Sequence, residues 1–238
     1  MGKSLESQFR SQKIRGSFEK GLFLLGLSVR LLFTCWIFEG PLTQLFVPFL
    51  QEVLARPDQN PWTLLTPEHF PYGSFLFGVL IAPAYLLKWL SLDHAFSLAV
   101  SVKLVLLIFD LFLFRLIRRL PVDRLRWCLF YWCNPVVIYV SFVHGQLDIV
   151  SMSLLIASIF SITERKILAA SLFFLAALSS KFHVILAFPV LVVFLWNQEF
   201  PRVFFKKLSL FAVLLFPAGL LLSYPVLVAN HIRYITIG

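Results

Sequence analysis

Eight apolar runs, at about 20–38, 73–92, 96–114, 127–143, 147–162, 167–180, 183–197 and 208–229, alternate along the chain with short polar or basic segments. The hydrocarbon core of a bilayer is about 30 Å thick and takes roughly 20 apolar helical residues to cross. Backbone polar groups in lipid must be satisfied within the protein, which leaves helices as the spanning element for runs of this kind. The succession therefore predicts an all-α, polytopic transmembrane bundle of about eight spans. Composition agrees: 59% of residues are hydrophobic and only 14% charged, with a mean hydropathy of +0.85, far from the balance of a soluble domain.

The net charge of +9 is not spread as a nucleic-acid footprint would be. It sits in the tail (Lys3, Arg10, Lys13, Arg15, Lys20), between Arg115 and Arg126, and between Arg202 and Lys207, all in or beside short polar segments. That is the positive-inside pattern. It predicts a cytoplasmic basic tail at 1–19 and a single transmembrane domain at 20–238. The localisation expected is a multi-pass integral membrane protein with a cytoplasmic N-terminus, in the plasma or inner membrane of a prokaryote or the endoplasmic reticulum of a eukaryote. The first apolar run continues into bulky residues and not into a small-residue cleavage site, so the first helix reads as retained. Arg30 lies well inside it, either snorkelling to the surface or paired within the bundle. Cys35, Cys128 and Cys133 lie in apolar surroundings at no metal-ligand spacing and read as small core residues.

Residues 39–71 differ in kind. Glu39-Gly40-Pro41 leads into an amphipathic stretch at 41–54, interrupted by Pro48 and too short to span, and then into Arg56-Pro57-Asp58-Gln59-Asn60-Pro61. This predicts one long non-cytoplasmic loop carrying an interfacial helix. Two apolar runs separate that outside loop from the inside loop at Arg115, where parity requires an odd number. Either one of 73–92 and 96–114 fails to cross fully, or one basic cluster lies outside.

Polar groups set inside apolar runs are costly, roughly 2.5–3.5 kcal/mol for a central Asp, and mark cavities or function. His144-Gly145-Gln146-Leu147-Asp148 is the densest such knot, with Asn134-Pro135 before it and Ser180-Lys181-Phe182-His183 after a further apolar hairpin. Lys103 and Asp110 stand seven residues apart in the third run, on one helix face about 10 Å apart, too far for a direct bond. Each pairs with a neighbouring helix or lines a site. His69 and His144 have no third ligand at a useful spacing, so no metal is expected.

In order and spacing, these features resemble the GT-C superfamily of integral-membrane glycosyltransferases, nearest to the prokaryotic relatives of the GPI mannosyltransferases. The matching features are Phe38-Glu39 after the first helix, an NPW-type segment, Phe70-Pro71-Tyr72-Gly73 at the second helix, the spaced Lys103 and Asp110, Asn134-Pro135 leading to a GQxD element, and Lys181 ahead of Pro189. They cover about residues 20–195. Family members are typically longer, most have Asp where this chain has Glu39, and the tyrosine-proline motif here reads PYG.

The resemblance implies transfer of a mannose-like hexose from a polyprenyl-phosphate donor to a lipid-linked or glycan acceptor on the non-cytoplasmic face, with no cofactor beyond the lipid-linked sugar. Inverting transfer needs a carboxylate to take the acceptor proton and cationic or hydrogen-bonding groups for the phosphate leaving group. Glu39 and Asp58 are the candidate catalytic acids. Tyr72, Lys103, Asp110, His144, Gln146, Asp148, Lys181 and His183 are the candidate substrate-binding residues. The bland readings are a helix cap for Glu39 or Asp148, a turn for Asp58, and interfacial anchors for Lys181 and His183. Membrane lipid is the expected surrounding partner, and a second membrane subunit is a possible one. The alternative function is that of a non-catalytic subunit or truncated relative of a longer glycosyltransferase. A lipid transporter is less consistent, since the two halves show no inverted repeat.

Overall fold

The computed structural model describes residues 2–36, 40, 42–61, 72–92 and 94–198, with the backbone alone for 2–15, 195, 197 and 198. Every regular element among them is helical. We number these α1 (Gly2–Trp36), α2 (Leu42–Ala55), α3 (Ser74–Trp89), α4 (Ala95–Ile117), α5 (124–132), α6 (Pro135–Val143), α7 (Asp148–Thr163), α8 (Ile167–Ser180) and α9 (182–198).

α1 is continuous for 35 residues, on the order of 50 Å, so the basic tail and the first apolar run form one helix with no break at 19. α4 is the hub of the bundle and packs against α1, α2, α3, α6 and α7. At 23 residues, about 34 Å, it is long and apolar enough to cross a membrane. The other apolar helices are shorter. α3 has 16 residues with Pro83 inside it, and α8 has 14. Of the two runs that left parity unbalanced, 96–114 thus makes a helix of full length while 73–92 makes one of about 24 Å. The run at 208–229 lies outside the described residues.

The run 127–143 is two pieces. The first helix widens into a π-turn at Cys128–Trp132 and stops, because the Asn134 side chain accepts a hydrogen bond from the Val136 N–H (2.9 Å) and Pro135 begins a new helix at N1. α6 then bends by 119° into α7. The bend is made at Gly145, whose φ of +76° is a left-handed conformation that side-chain-bearing residues resist. A Cβ there would also press on Leu42 at 3.1 Å. Only together, across this bend, are α6 and α7 long and apolar enough to cross a membrane, where the two runs at 127–143 and 147–162 were expected to be separate spans.

α2 forms as a helix, but its apolar face is not free for lipid. Leu42, Phe46, Phe49, Leu50, Val53 and Leu54 are buried in the core, against α3 and α4. The core is apolar but takes in many serines, and large apolar side chains also stand on the outside. Ser101, Ser141, Ser151, Ser153, Ser158, Ser161, Ser171, Ser179 and Ser180 are buried, while Leu24, Leu25, Leu32, Ile108, Leu168 and Leu172 are exposed. Small residues let helices approach closely, and the α7–α8 hairpin uses them: the Ser158 hydroxyl donates to the Ala170 carbonyl at 2.8 Å. Trp36, Trp89 and Trp196 stand exposed at or near helix ends. Cys128 is buried and Cys133 partly so; Cys35 is exposed on α1, so the core reading fails for it.

Candidate functional site

Asp148 is the first residue of α7 and Lys181 the residue after α8. Because α7 and α8 pack as an antiparallel hairpin, the 33 positions between them close back on one end of the bundle, and Lys181 Nζ donates to Asp148 Oδ1. The pair is only partly covered, with 26% of the Lys181 side chain and 39% of the Asp148 side chain exposed. Ion pairs in that setting contribute about 0–1 kcal/mol, so this one is held loosely and its lysine can exchange partners.

Tyr72 completes the cluster. Lys181 Nζ lies 5.6 Å from the centre of its ring. The ring also packs edge-on against Phe46 of α2 at 5.7 Å. Burial, and then the Asp148 charge, push the Tyr72 phenol up to about 12. The backbone that follows it is pinned to the end of α8: Gly73 N–H donates to the Ser180 carbonyl (3.3 Å) and Phe75 N–H to the Ser179 hydroxyl (3.1 Å). A Cβ on Gly73 would run into the Ser179 carbonyl, so this contact requires glycine.

His144 is held at the bend by its N–H, which donates to the Tyr139 carbonyl at 2.8 Å. Its Nδ1 is buried without a hydrogen-bond partner among the described residues. The Gly40 Cα faces the His144 carbonyl, so the chain leaving the first helix arrives beside the knot. Glu39 itself lies outside the described residues, as does His69. Gln146 and His183 are exposed, the latter in the first turn of α9. Asp58 is an exposed turn residue after α2 and makes none of the contacts that join the cluster.

Lys103 and Asp110 belong elsewhere. Both are fully buried in α4 and contact the helices around them. Lys103 Nζ donates to the Phe33 carbonyl at 2.8 Å. Asp110 accepts from Arg30 Nε (2.5 Å) and from the Tyr131 hydroxyl (2.5 Å). Arg30 is therefore paired inside the bundle and does not snorkel. Its guanidinium also donates to the Gly26 and Trp132 carbonyls and lies 3.9 Å from the centre of the Trp132 ring. Both Asp110 oxygens are thus engaged by partners on neighbouring helices, α1 and α5. Tyr131 and Trp132 had no signal of their own in the sequence beyond standing ahead of Asn134-Pro135.

Comparison of the chain with protein families, with curated proteins and with solved structures finds no match. Among the described residues, no three His, Cys, Asp or Glu side chains gather as a metal would need. The cluster of Tyr72, Asp148 and Lys181 thus offers one carboxylate, one ammonium and one protonated phenol at one end of the helical bundle, with His144 and its unsatisfied imidazole nitrogen at the bend that precedes Asp148. Together they can hold an anion and orient a hydroxyl.

Proposed function

We propose that the chain is a multi-pass membrane glycosyltransferase, N-terminus cytoplasmic, that moves a hexose from a polyprenyl-phosphate donor to a hydroxyl of a lipid-linked or glycan acceptor on the non-cytoplasmic face. The observation that carries this reading is the meeting of Tyr72, Asp148 and Lys181, drawn from three separated stretches, next to the bend at His144, whose carbonyl lies beside the residue that follows Glu39.

In this reading the base takes the acceptor proton and the acceptor oxygen attacks C1 of the sugar. The C1–O bond then breaks with its electron pair leaving on the polyprenyl phosphate. Lys181 moves from Asp148 to the phosphate and stabilises the departing charge, and Tyr72 donates to it as a phenol that stays protonated. Glu39 is the base of first choice because the chain next to it reaches His144. Asp148 is the second, as the carboxylate of the cluster itself. The exposed position of Asp58 argues for its reading as a turn.

The test is transfer from a polyprenyl-phosphate hexose in membranes carrying Glu39→Gln, Asp148→Asn and Asp58→Asn side by side. Loss of the base costs about 10²–10⁴-fold in rate. A loss of that size in Glu39→Gln with donor binding kept is the expected result. The same pattern in Asp148→Asn alone would move the base to Asp148. Unchanged activity in all three would leave the chain a non-catalytic subunit.

A further inference from the structure

α7 separates the Asp148–Lys181 cluster from a second polar region at its other end, about 24 Å away. There α4 leaves its apolar stretch through Arg115, Arg118 and Arg119, and α5 opens on Arg124. With Phe23 and Phe114 these arginines line a cleft of about 640 Å³. A second cleft of about 510 Å³ shares Phe23, Phe114, Arg118 and Arg124 and runs on to Leu24 of α1, with Glu19 and Lys20 on its rim.

Arg119 alone of the four pairs with a carboxylate, Glu164, at 3.1 Å. Glu164 is already held by Lys166 at 2.7 Å, and that hydrogen bond, with the Lys166 charge, keeps its carboxyl below the ordinary range. Arg118 lies over the Phe114 ring, 5.6 Å from its centre. Arg115, Arg118 and Arg124 have no carboxylate partner among the described residues. Arg115, Arg118 and Arg124 are all exposed around these clefts, and an anion with several acceptor oxygens could join them, a phosphate suiting their fork geometry best. The second cleft also has an apolar exit at Leu24, which stands 59% exposed on α1.

The geometry points to a binding site for the phosphate headgroup of an anionic lipid, held by Arg115, Arg118 and Arg124, with its acyl chain leaving past Leu24. Basic pockets between helices at a cytoplasmic membrane face take such headgroups. Free phosphate shares the chemistry but has no use for the apolar exit. The site stands at the other end of the bundle from the proposed transfer chemistry and does not depend on it.

The test is a titration of the full chain in neutral detergent with short-chain phosphatidylglycerol, short-chain phosphatidylcholine and inorganic phosphate, read by native mass spectrometry and by the shift in melting temperature. Phosphatidylglycerol is expected to bind and stabilise, phosphatidylcholine to do neither, and Arg118→Gln with Arg124→Gln to weaken binding at least tenfold. Arg126→Gln, an exposed arginine outside both clefts, should leave it unchanged. Rising KCl should weaken phosphatidylglycerol binding to the unaltered protein, which tests the site even if the double variant fails to fold. Equal binding of phosphatidylcholine, salt-independent binding, or full binding by a folded double variant would overturn the site. Protection by inorganic phosphate as strong as that by phosphatidylglycerol would overturn the lipid assignment.

Discussion

Arg30 of α1 and Asp110 of α4, eighty positions apart in the chain, meet at 2.5 Å with neither side chain exposed. The pair joins the first helix to the hub of the bundle, and Tyr131 and the Trp132 carbonyl extend it to α5. Taking two charges out of water is expensive, and their attraction offsets that only when the remaining donors and acceptors are met. Most are: Asp110 uses both oxygens, while Arg30 leaves one terminal nitrogen unpartnered.

Breaking this pair from one side should be far worse than removing both charges. Asp110→Leu or Arg30→Met alone leaves an uncompensated buried charge, a loss of roughly 3–5 kcal/mol. The double variant should recover much of it. Monodisperse yield and melting temperature in detergent check this, and a double variant no better than the singles would show that the charges do not couple.

Gly145→Ala should destabilise the bend between α6 and α7. The left-handed backbone costs an L-residue roughly 1–2 kcal/mol, and the added Cβ meets Leu42. The melting temperature should fall, and Leu42→Ala should recover little of the loss, because the atom that the new methyl group meets is the Leu42 Cβ, which alanine keeps. A Gly145→Ala protein as stable as the parent would refute the turn.

Tyr72 has a titration that can be followed by phenolate absorbance. Its folded value of about 12 lies above the ordinary 10, so the neutral phenol favours the fold. That contribution is complete below pH 10 and is lost as pH rises through about 12. Burial is the larger cause and Asp148 the smaller. Asp148→Asn should therefore lower the Tyr72 value only modestly, and a return to 10 would mean that the charge dominates.

Sidedness follows from the two ends of α7. Single cysteines at Asp58 and Gln146, both exposed, should react with an impermeant reagent added outside intact cells. A cysteine at Arg118 should react only after permeabilisation. Labelling of Gln146→Cys and Arg118→Cys from the same side would contradict a bundle with the transfer cluster outside and the arginine cleft inside.

Helical class and the polar knot were legible in the residues alone, because apolar length and buried polarity are local properties of a chain. Asp148 and Lys181 could be marked as unusual where they stand, since each interrupts or ends an apolar run. What each touches was not legible. The arginine of the first helix finds its acid in α4, and the lysine after α8 finds the acid that opens α7, through antiparallel packing that no local pattern encodes. Helix lengths were also decided by the tertiary structure. A hydropathy run does not register that Asn134 caps and Pro135 restarts a helix, nor that Gly145 turns the chain by more than a right angle. The same holds for α2, whose amphipathic pattern fits a lipid surface or a protein core equally well. The bundle offered the core, and burying that face against α3 and α4 settled which it was.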